Sequence, residues 1–399
     1  MLINRPELLK KVSSYKDTKL IKILSGVRGC GKSTLLQMYQ NLLTEQGTIP
    51  NQIQSFNLLN ITDNSLLDMQ NLQDHILKNL VSDKMNYIFL QEIQVIKNFG
   101  RLVNSLFLQE NIDIYLSVSN SKIQAFEISN IIEKNYIFIP IYPLSFKEYL
   151  SGCKGKSKDE CFEDYIRYSS FPGIFSLSKI SESDNYLRKL YETGIQADII
   201  ENRKIKDLDK FSAVLRDMAE SIGEYTSVNK IAKVLISSEK RLDNITLMNY
   251  IDDLCDSYVF YKIYRWDIYR KNLLKIQNKY YSVDVGLRNL FLDNTVTDTE
   301  KMIENIVFLE LKRRGYKVYA GKIRTNVIDF VAQNQNGTEY FQVSEEIREG
   351  KSCIKKFEAL KTIRDNHPKY ILTKDSESCL YCGVKIRNVV DWLSGEAEN

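Results

Sequence analysis

Gly26-Val27-Arg28-Gly29-Cys30-Gly31-Lys32-Ser33 lies between an apolar run, Leu20 to Leu24, and a helical pattern carried by Leu35, Leu36, Met38 and Tyr39. The octet fits the spacing G-x-x-x-x-G-K-S/T, and strand, glycine loop, helix is the context that spacing needs. The glycines let backbone N–H groups turn inward around phosphates, and the helix N-terminus adds partial positive charge at the same point. Gly26, Val27, Arg28, Gly29, Cys30, Gly31, Lys32, Ser33 and Thr34 therefore form the candidate cofactor-binding set. Lys32 would reach the β- and γ-phosphates of ATP, and Ser33 would ligate Mg²⁺.

Outward from the loop, three further apolar runs read as buried parallel strands: Tyr87-Ile88-Phe89-Leu90, Ile112 to Val118, and Ile137 to Ile141. Helical patterns between them, such as Phe99 to Leu108, make residues 1–146 an α/β nucleotide-binding domain. The first of these strands ends Leu90-Gln91-Glu92. A carboxylate there ordinarily supports Mg²⁺, and a following Glu polarises the attacking water. Glu92 stands in the water-activating position and is also a candidate metal ligand. Gln91 stands where the metal-supporting Asp belongs. An amide keeps an acceptor oxygen but loses the charge, and changes of this kind weaken metal sites roughly 10–100-fold.

The chain has 399 residues, 43% apolar and 27% charged, with 55 basic and 51 acidic side chains for a net charge of +4. That balance neither demands nor excludes nucleic acid. No uncharged apolar run reaches the ~18 residues of a membrane span, and Met1 to Lys11 lacks an apolar signal core, so a cytoplasmic protein with no membrane partner is expected. Seven scattered cysteines fit reduced thiols. Cys379 and Cys382 read as a turn with two thiols, and two histidines leave little room for a His-based dyad.

The segments Gly26 to Thr34, Phe89-Leu90-Gln91-Glu92-Ile93-Gln94, Ser119-Asn120-Ser121, Tyr142-Pro143-Leu144-Ser145-Phe146 and Phe171-Pro172-Gly173 follow one another in order. Together they resemble the prokaryotic AAA-type P-loop ATPase family that carries a C-terminal domain of unknown function. The resemblance implies ATP binding and places Asn120 as the polar sensor near the γ-phosphate. It also exposes departures. The family's strand ends Asp-Glu-Ile-Gln, whereas Gln91 replaces the Asp, a degenerate Walker B. Ser117-Val118 replaces Thr-Gly. Lys134-Asn135-Tyr136 replaces Gly-Arg-Tyr, so Lys134 would bring a point charge without a bidentate fork. Binding is expected to be intact and hydrolysis weak or conditional. The alternatives are a switch without hydrolysis and a nucleotide-gated nuclease.

Residues 147–206 read as a helical lid or linker. Residues 207–292 show three helical patterns and then two alternating runs, a winged-helix-like reading in line with the resemblance. The helix from Thr246 carries Asp252, Asp253 and Asp256, which disfavours phosphate contact. The wing carries Lys262, Arg265, Arg270, Lys271 and Lys275 among Tyr264, Trp266 and Tyr269. DNA, a protein partner or a homo-oligomer all stay open as partners. In residues 293–399, Glu304 on a helix, Asp329 on a strand, and Gln342-x-Ser344 on the next resemble a restriction-endonuclease-like core. Working members carry Lys where Ser344 stands, and a hydroxyl cannot supply that charge. This domain is expected to be inactive.

Overall fold

The computed structural model describes residues 2–121, 135–197, 199–200, 205, 207–237, 240, 242–293, 298–346, 351–375 and 379–396; the side chains of 275, 276 and 351–353 also fall outside that description. Lys134 lies outside the described residues. The chain divides into two compact units, residues 4–141 with 256–258, and most of residues 142–399.

In the first unit, α1 (Pro6–Ser13) leads to β1 (Ile21–Ser25), α2 (Lys32–Glu45), β2 (Ile53–Asn57), α3 (Met69–Lys78), β3 (Asn86–Gln91), α4 (Phe99–Phe107), β4 (Ile112–Val118) and β5 (Tyr136–Pro140). The strands form a parallel sheet in the order β2-β3-β4-β1-β5. Strands β1, β3 and β4 are buried at every position because helices flank the sheet. Ile88, Leu90, Ile114 and Leu116 pack with Leu72 and Ile76 of α3 and with Leu102, Val103 and Leu106 of α4. Each such side chain contributes ~1.5–3 kcal/mol by burial. Strand β2 has no counterpart among the apolar runs of the sequence. It lies at the sheet edge, half-buried, with Gln54, Ser55 and Asn57 among its five residues. The glycine loop follows β1, beside the central strands, where open α/β sheets bind ligands at strand carboxyl ends.

The second unit begins with α5 (Phe146–Leu150), α6 (Lys158–Arg167) and α7 (Ser183–Leu190), and continues with α8 (Leu208–Glu220), α9 (Val228–Ser237) and α10 (Asn244–Asp256). A hairpin follows, β6 (Phe260–Asp267) and β7 (Asn272–Ser282), then α11 (Val285–Phe291) and α12 (Thr299–Arg313). The chain ends with β8 (Lys317–Ile323), β9 (Asn326–Asn334), β10 (Gly337–Ser344), α13 (Lys351–Lys361), β11 (Lys369–Thr373), β12 (Cys379–Tyr381), β13 (Val384–Asn388) and α14 (Val389–Ser394). Buried Asp284 caps α11 through Leu287 N–H at 2.7 Å and accepts from Ser169 Oγ at 3.0 Å and Ser170 N at 2.7 Å, which fixes the approach to Phe171-Pro172-Gly173.

The eight strands share one sheet, β12-β13-β11-β10-β9-β8-β6-β7. The hairpin read as a wing is joined to it, since β6 pairs in parallel with β8 through Arg265↔Ala320, Trp266↔Gly321 and Asp267↔Lys322. Strands β8, β9 and β10 run antiparallel, and β10, β11 and β13 run parallel. Between Tyr319↔Val331 and Gly321↔Ile328 the register shifts, so Asp329 and Phe330 oppose the single residue Ala320. A bulge of this kind re-aims a side chain. Ile303, Val307 and Phe308 of α12 join Phe330, Val343 and Leu372 in one core. Leu360 of α13 joins Ile328, Val331 and Ile371 in another. On α10 the acidic face is thinner than its sequence suggests. Asp252 is exposed, but Asp253 is buried among the packed positions of the helix. Among the described residues, no helix is long and apolar enough to cross a membrane.

Candidate functional site

The loop after β1 is built for close backbone packing. A Cβ at Gly26 would lie 2.0 Å from the Ile141 carbonyl oxygen, so no larger residue fits. Gly29 and Gly31 hold φ of 83° and 99°, which turns successive N–H groups to one side. Gly31 is the N-cap of α2 and brings no side chain to cap it. Its first-turn N–H groups therefore meet the loop's mouth as an uncapped positive end. Ser33 and Thr34 are exposed there, while Val27 and Cys30 are buried. Arg28 is half-buried. Arg5 Nη1 donates to the Cys30 carbonyl at 3.0 Å and ties the preceding segment to the loop.

Lys32 folds back along the loop. Its Nζ donates to Gly26 O at 2.8 Å and Val27 O at 3.2 Å, and lies 3.3 Å from Glu92 Oε1. Glu92 follows β3 with φ 54°, its N–H donating to Ser117 Oγ at 3.0 Å. Its Oε2 accepts from Ser119 Oγ at 2.6 Å and from Gln94 Nε2 at 2.7 Å. Burial would raise the Glu92 pKa, but the Lys32 ammonium and the Ser119 and Gln94 bonds outweigh it and hold the carboxyl below its ordinary value. Glu92 is thus an anion at neutral pH, ready to accept a proton or polarise water. The structure brings Lys32 and Glu92 together. Asn120, half-buried, follows Ser119 at the end of β4.

Gln91 closes β3 and is 8% exposed. Its Nε2 reaches Ser55 Oγ only at 3.5 Å, and its Oε1 is buried without a hydrogen-bond partner among the described residues. An orphaned buried acceptor costs ~1–3 kcal/mol. Ser119 and Gln94, the two groups that hold Glu92, both lie inside motifs quoted from the sequence. Spacing alone gave them no role, because their bonds depend on where two separate strands end.

The second unit gathers Glu304 from α12, Asp329 from the β9 bulge and Gln342 from β10. Gln342 is spent on backbone: its Oε1 accepts from Asp329 N at 3.0 Å and its Nε2 donates to Val327 O at 2.9 Å. Ser344 is buried and donates to Glu346 O at 3.0 Å. Two lysines that the motif reading missed enter this cluster. Lys279 of β7 lies 2.9 Å from Glu304 Oε1 and 3.9 Å from Asp329 Oδ1. Lys356 of α13 lies 3.6 Å from Asp329 Oδ2, and also pairs with Glu300 at 2.6 Å and with the Val343 carbonyl. Positive charge is thus present although Ser344 carries none. It arrives from elements 25 or more residues from their partners, where no local spacing could mark it.

Residues 18–150 match the family described as an AAA domain, and residues 159–298 match a domain of unknown function (DUF8612). A Haemophilus influenzae protein described as uncharacterized is 32% identical over 398 residues, covering 98% of each chain. An uncharacterized protein of Methanocaldococcus jannaschii is 25% identical over 377 residues, covering 90% of this chain and 82% of its own. Among solved structures, the Walker-type ATPase of Pyrococcus abyssi superposes with a TM-score of 0.53 at 13% identity, over 73% of this chain and 96% of that one, a likeness of fold alone. With its glycine loop, parallel sheet and AAA match all in the same segment, the chain belongs to one family with the Haemophilus influenzae protein, and its N-terminal part is an AAA-type P-loop ATP-binding domain.

Proposed function

We propose that this AAA-type protein binds ATP with Mg²⁺, hydrolyses it weakly or conditionally, and couples the nucleotide state to a C-terminal DNA- or protein-interaction region. One observation carries the weak-hydrolysis reading: the strand-end position beside Glu92 holds a neutral amide, Gln91, whose Oε1 has no partner among the described residues. That oxygen fits a role as acceptor from a metal-bound water, but it lacks the charge that would hold the metal firmly. The loop residues fit a polyphosphate. Lys32 would exchange its loop carbonyls for phosphate oxygens, Ser33 would turn its exposed hydroxyl to the metal, and the uncapped N-terminus of α2 would add N–H donors. Bound Mg²⁺ would neutralise charge on the β- and γ-phosphates. Glu92, released from Lys32, would orient the attacking water while Ser119 and Gln94 keep it ionised. Asn120 and Lys134 complete the proposed catalytic set.

In the C-terminal half we assign residues 147–206 to a helical lid or linker, 207–292 to a winged-helix-like region and 293–399 to an inactive nuclease-like region. The helix-helix-helix-hairpin order and the α12, β8–β10, α13, β11 order support these assignments. Exposed Ile236 on α9 and Ile245 and Met248 on α10 favour protein docking on that face. On the hairpin, Lys262 lies over the Tyr264 ring and Tyr269 is exposed, which favours a nucleic-acid contact there. A homo-oligomer and a cytoplasmic location belong to the same proposal.

ATP turnover with Mg²⁺ or Mn²⁺ tests the reading. Gln91→Asp should raise turnover roughly 10–100-fold, and Lys32→Ala should lower it roughly 100–1000-fold. A native rate equal to that of Gln91→Asp would sink the weakened-hydrolysis proposal.

A further inference from the structure

We propose that the Glu304–Asp329 pocket of the second unit is a divalent-cation site whose metal has been replaced by lysine, with Lys279 occupying the metal position and Lys356 completing the charge. The inference stands apart from the nucleotide reading, because it rests on groups in one unit only.

Two carboxylates buried together repel one another and require compensating positive charge. Here Lys279, 4% exposed, sits between them, at 2.9 Å from Glu304 and 3.9 Å from Asp329. Its third neighbour is the Tyr225 ring, with the ammonium 5.6 Å from the centroid. Lys356 reaches the other Asp329 oxygen from α13, with Glu300 at the rim. The two ammonium groups bring the two positive charges of one divalent cation, so Glu304, Asp329, Lys279 and Lys356 sum to zero. Even with Glu300 at the rim counted, a divalent metal added to this set would leave an uncompensated positive charge in a buried site, which is costly.

One oxygen of each carboxylate is also committed to hydrogen bonds. Glu304 Oε1 accepts from Tyr281 Oη at 2.6 Å as well as from Lys279. Asp329 Oδ2 accepts from Val343 N at 2.9 Å. Gln342, the third oxygen such a site would use, is turned to backbone at both ends. The residues therefore do not fit a metal while Lys279 is present. Yet the scaffold of a site persists: the β9 bulge aims Asp329 inward, and Gly223 leaves room for Glu304, whose Oε1 lies 3.1 Å from where a Cβ would stand. Burial alone would lower the Lys279 pKa, but Glu304 and Asp329 outweigh it and hold it above the ordinary lysine value.

Mn²⁺ titration of the nucleotide-free full chain, followed by electron paramagnetic resonance of free Mn²⁺, tests this. Lys279→Met empties the metal position at similar length, and Lys356→Met removes the second charge while leaving Lys279 in place. Lys279→Met should bind one Mn²⁺ at least about tenfold more tightly than the native chain, and Asp329→Asn added to it should abolish that gain. Mn²⁺ should also raise the melting temperature of Lys279→Met and leave that of the native chain unchanged. Saturable Mn²⁺ binding by the native chain that Asp329→Asn removes would overturn the proposal, whether or not the lysine variants fold. So would a cooperatively melting Lys279→Met, or Lys356→Met/Lys279→Met pair, that binds no more Mn²⁺ than the native chain.

Discussion

Lys32–Glu92 and Lys279–Glu304 are the same ion pair in two settings. Separations are 3.3 and 2.9 Å, and in both the side chains are less than a tenth exposed. Burial does not distinguish them. Their surroundings do. Lys32 shares its ammonium with two carbonyls of a glycine loop, beside exposed Ser33 and the start of α2, where the proposed polyphosphate would take over its bonds. Lys279 is enclosed by Tyr225, Tyr281 and a second carboxylate, and Tyr281 stacks on Phe308 at 4.5 Å. One pair is, on the proposed function, a latch that the nucleotide would open. The other is closed by the fold. A buried lysine on a glutamate is a sign of function only when the elements around it leave the ammonium somewhere else to go.

The two pairs should differ most at their acceptors. Glu304→Gln should cost about 3–5 kcal/mol of stability, because it leaves Lys279 short of a charge inside the second unit. Glu92→Gln should cost about 1 kcal/mol, because Lys32 keeps its carbonyl acceptors. Urea unfolding of the two variants side by side measures the gap, and equal losses would erase the distinction. Next in size is Lys32→Ala, which should lower turnover roughly 100–1000-fold by removing a preorganised donor while leaving the melting transition of the second unit in place. Gln91→Asp, read as a gain in turnover, asks whether the open pair is limited by its neighbour rather than by itself.

The smallest effect concerns a carboxylate with no lysine seated on it. Burial, and then Glu220, push Asp217 up to about 6, with Lys230 opposing too weakly. A raised folded-state pKa means the stabilising protonated form is present below about pH 4 and is lost as pH rises through 6. Asp217→Asn should therefore raise stability at pH 8 by about 1 kcal/mol, a value reduced for partial solvent screening, and should change nothing at pH 4. Melting temperatures across that range check the sign. Stabilisation that is larger at pH 4 than at pH 8 would show that the cation partner is not what separates this group from Glu92.

The nucleotide site was legible because its chemistry is local. Seven residues carry the loop from Gly26 to Lys32, and apolar runs mark β1, β3, β4 and β5 almost to their ends. Gln91 could be seen as a departure because its strand fixed its place. Its orphaned oxygen could not, since that depends on Ser55 from β2, a half-buried edge strand with little apolar signal. In the second unit Glu304, Asp329, Gln342 and Ser344 could be named from their elements, but not Lys279 or Lys356. Those side chains reach the cluster from a hairpin and a helix that only the assembled sheet brings near. The acidic run on α10 misled for a related reason, as charge in a sequence does not say which carboxylate the helix buries.

The parallel pairing of β6 with β8 has a consequence for any attempt to divide the chain. A cut near residue 293 would strip β8 from β6 and expose a bare edge through Arg265, Trp266 and Asp267. Such edges recruit foreign strands and precipitate. The same cut would leave Lys279 on one fragment and both of its carboxylates on the other. Residues 207–292 made alone would then be prone to aggregate, and co-expression of the two fragments would be the way to recover them, as halves of one sheet that assemble in trans.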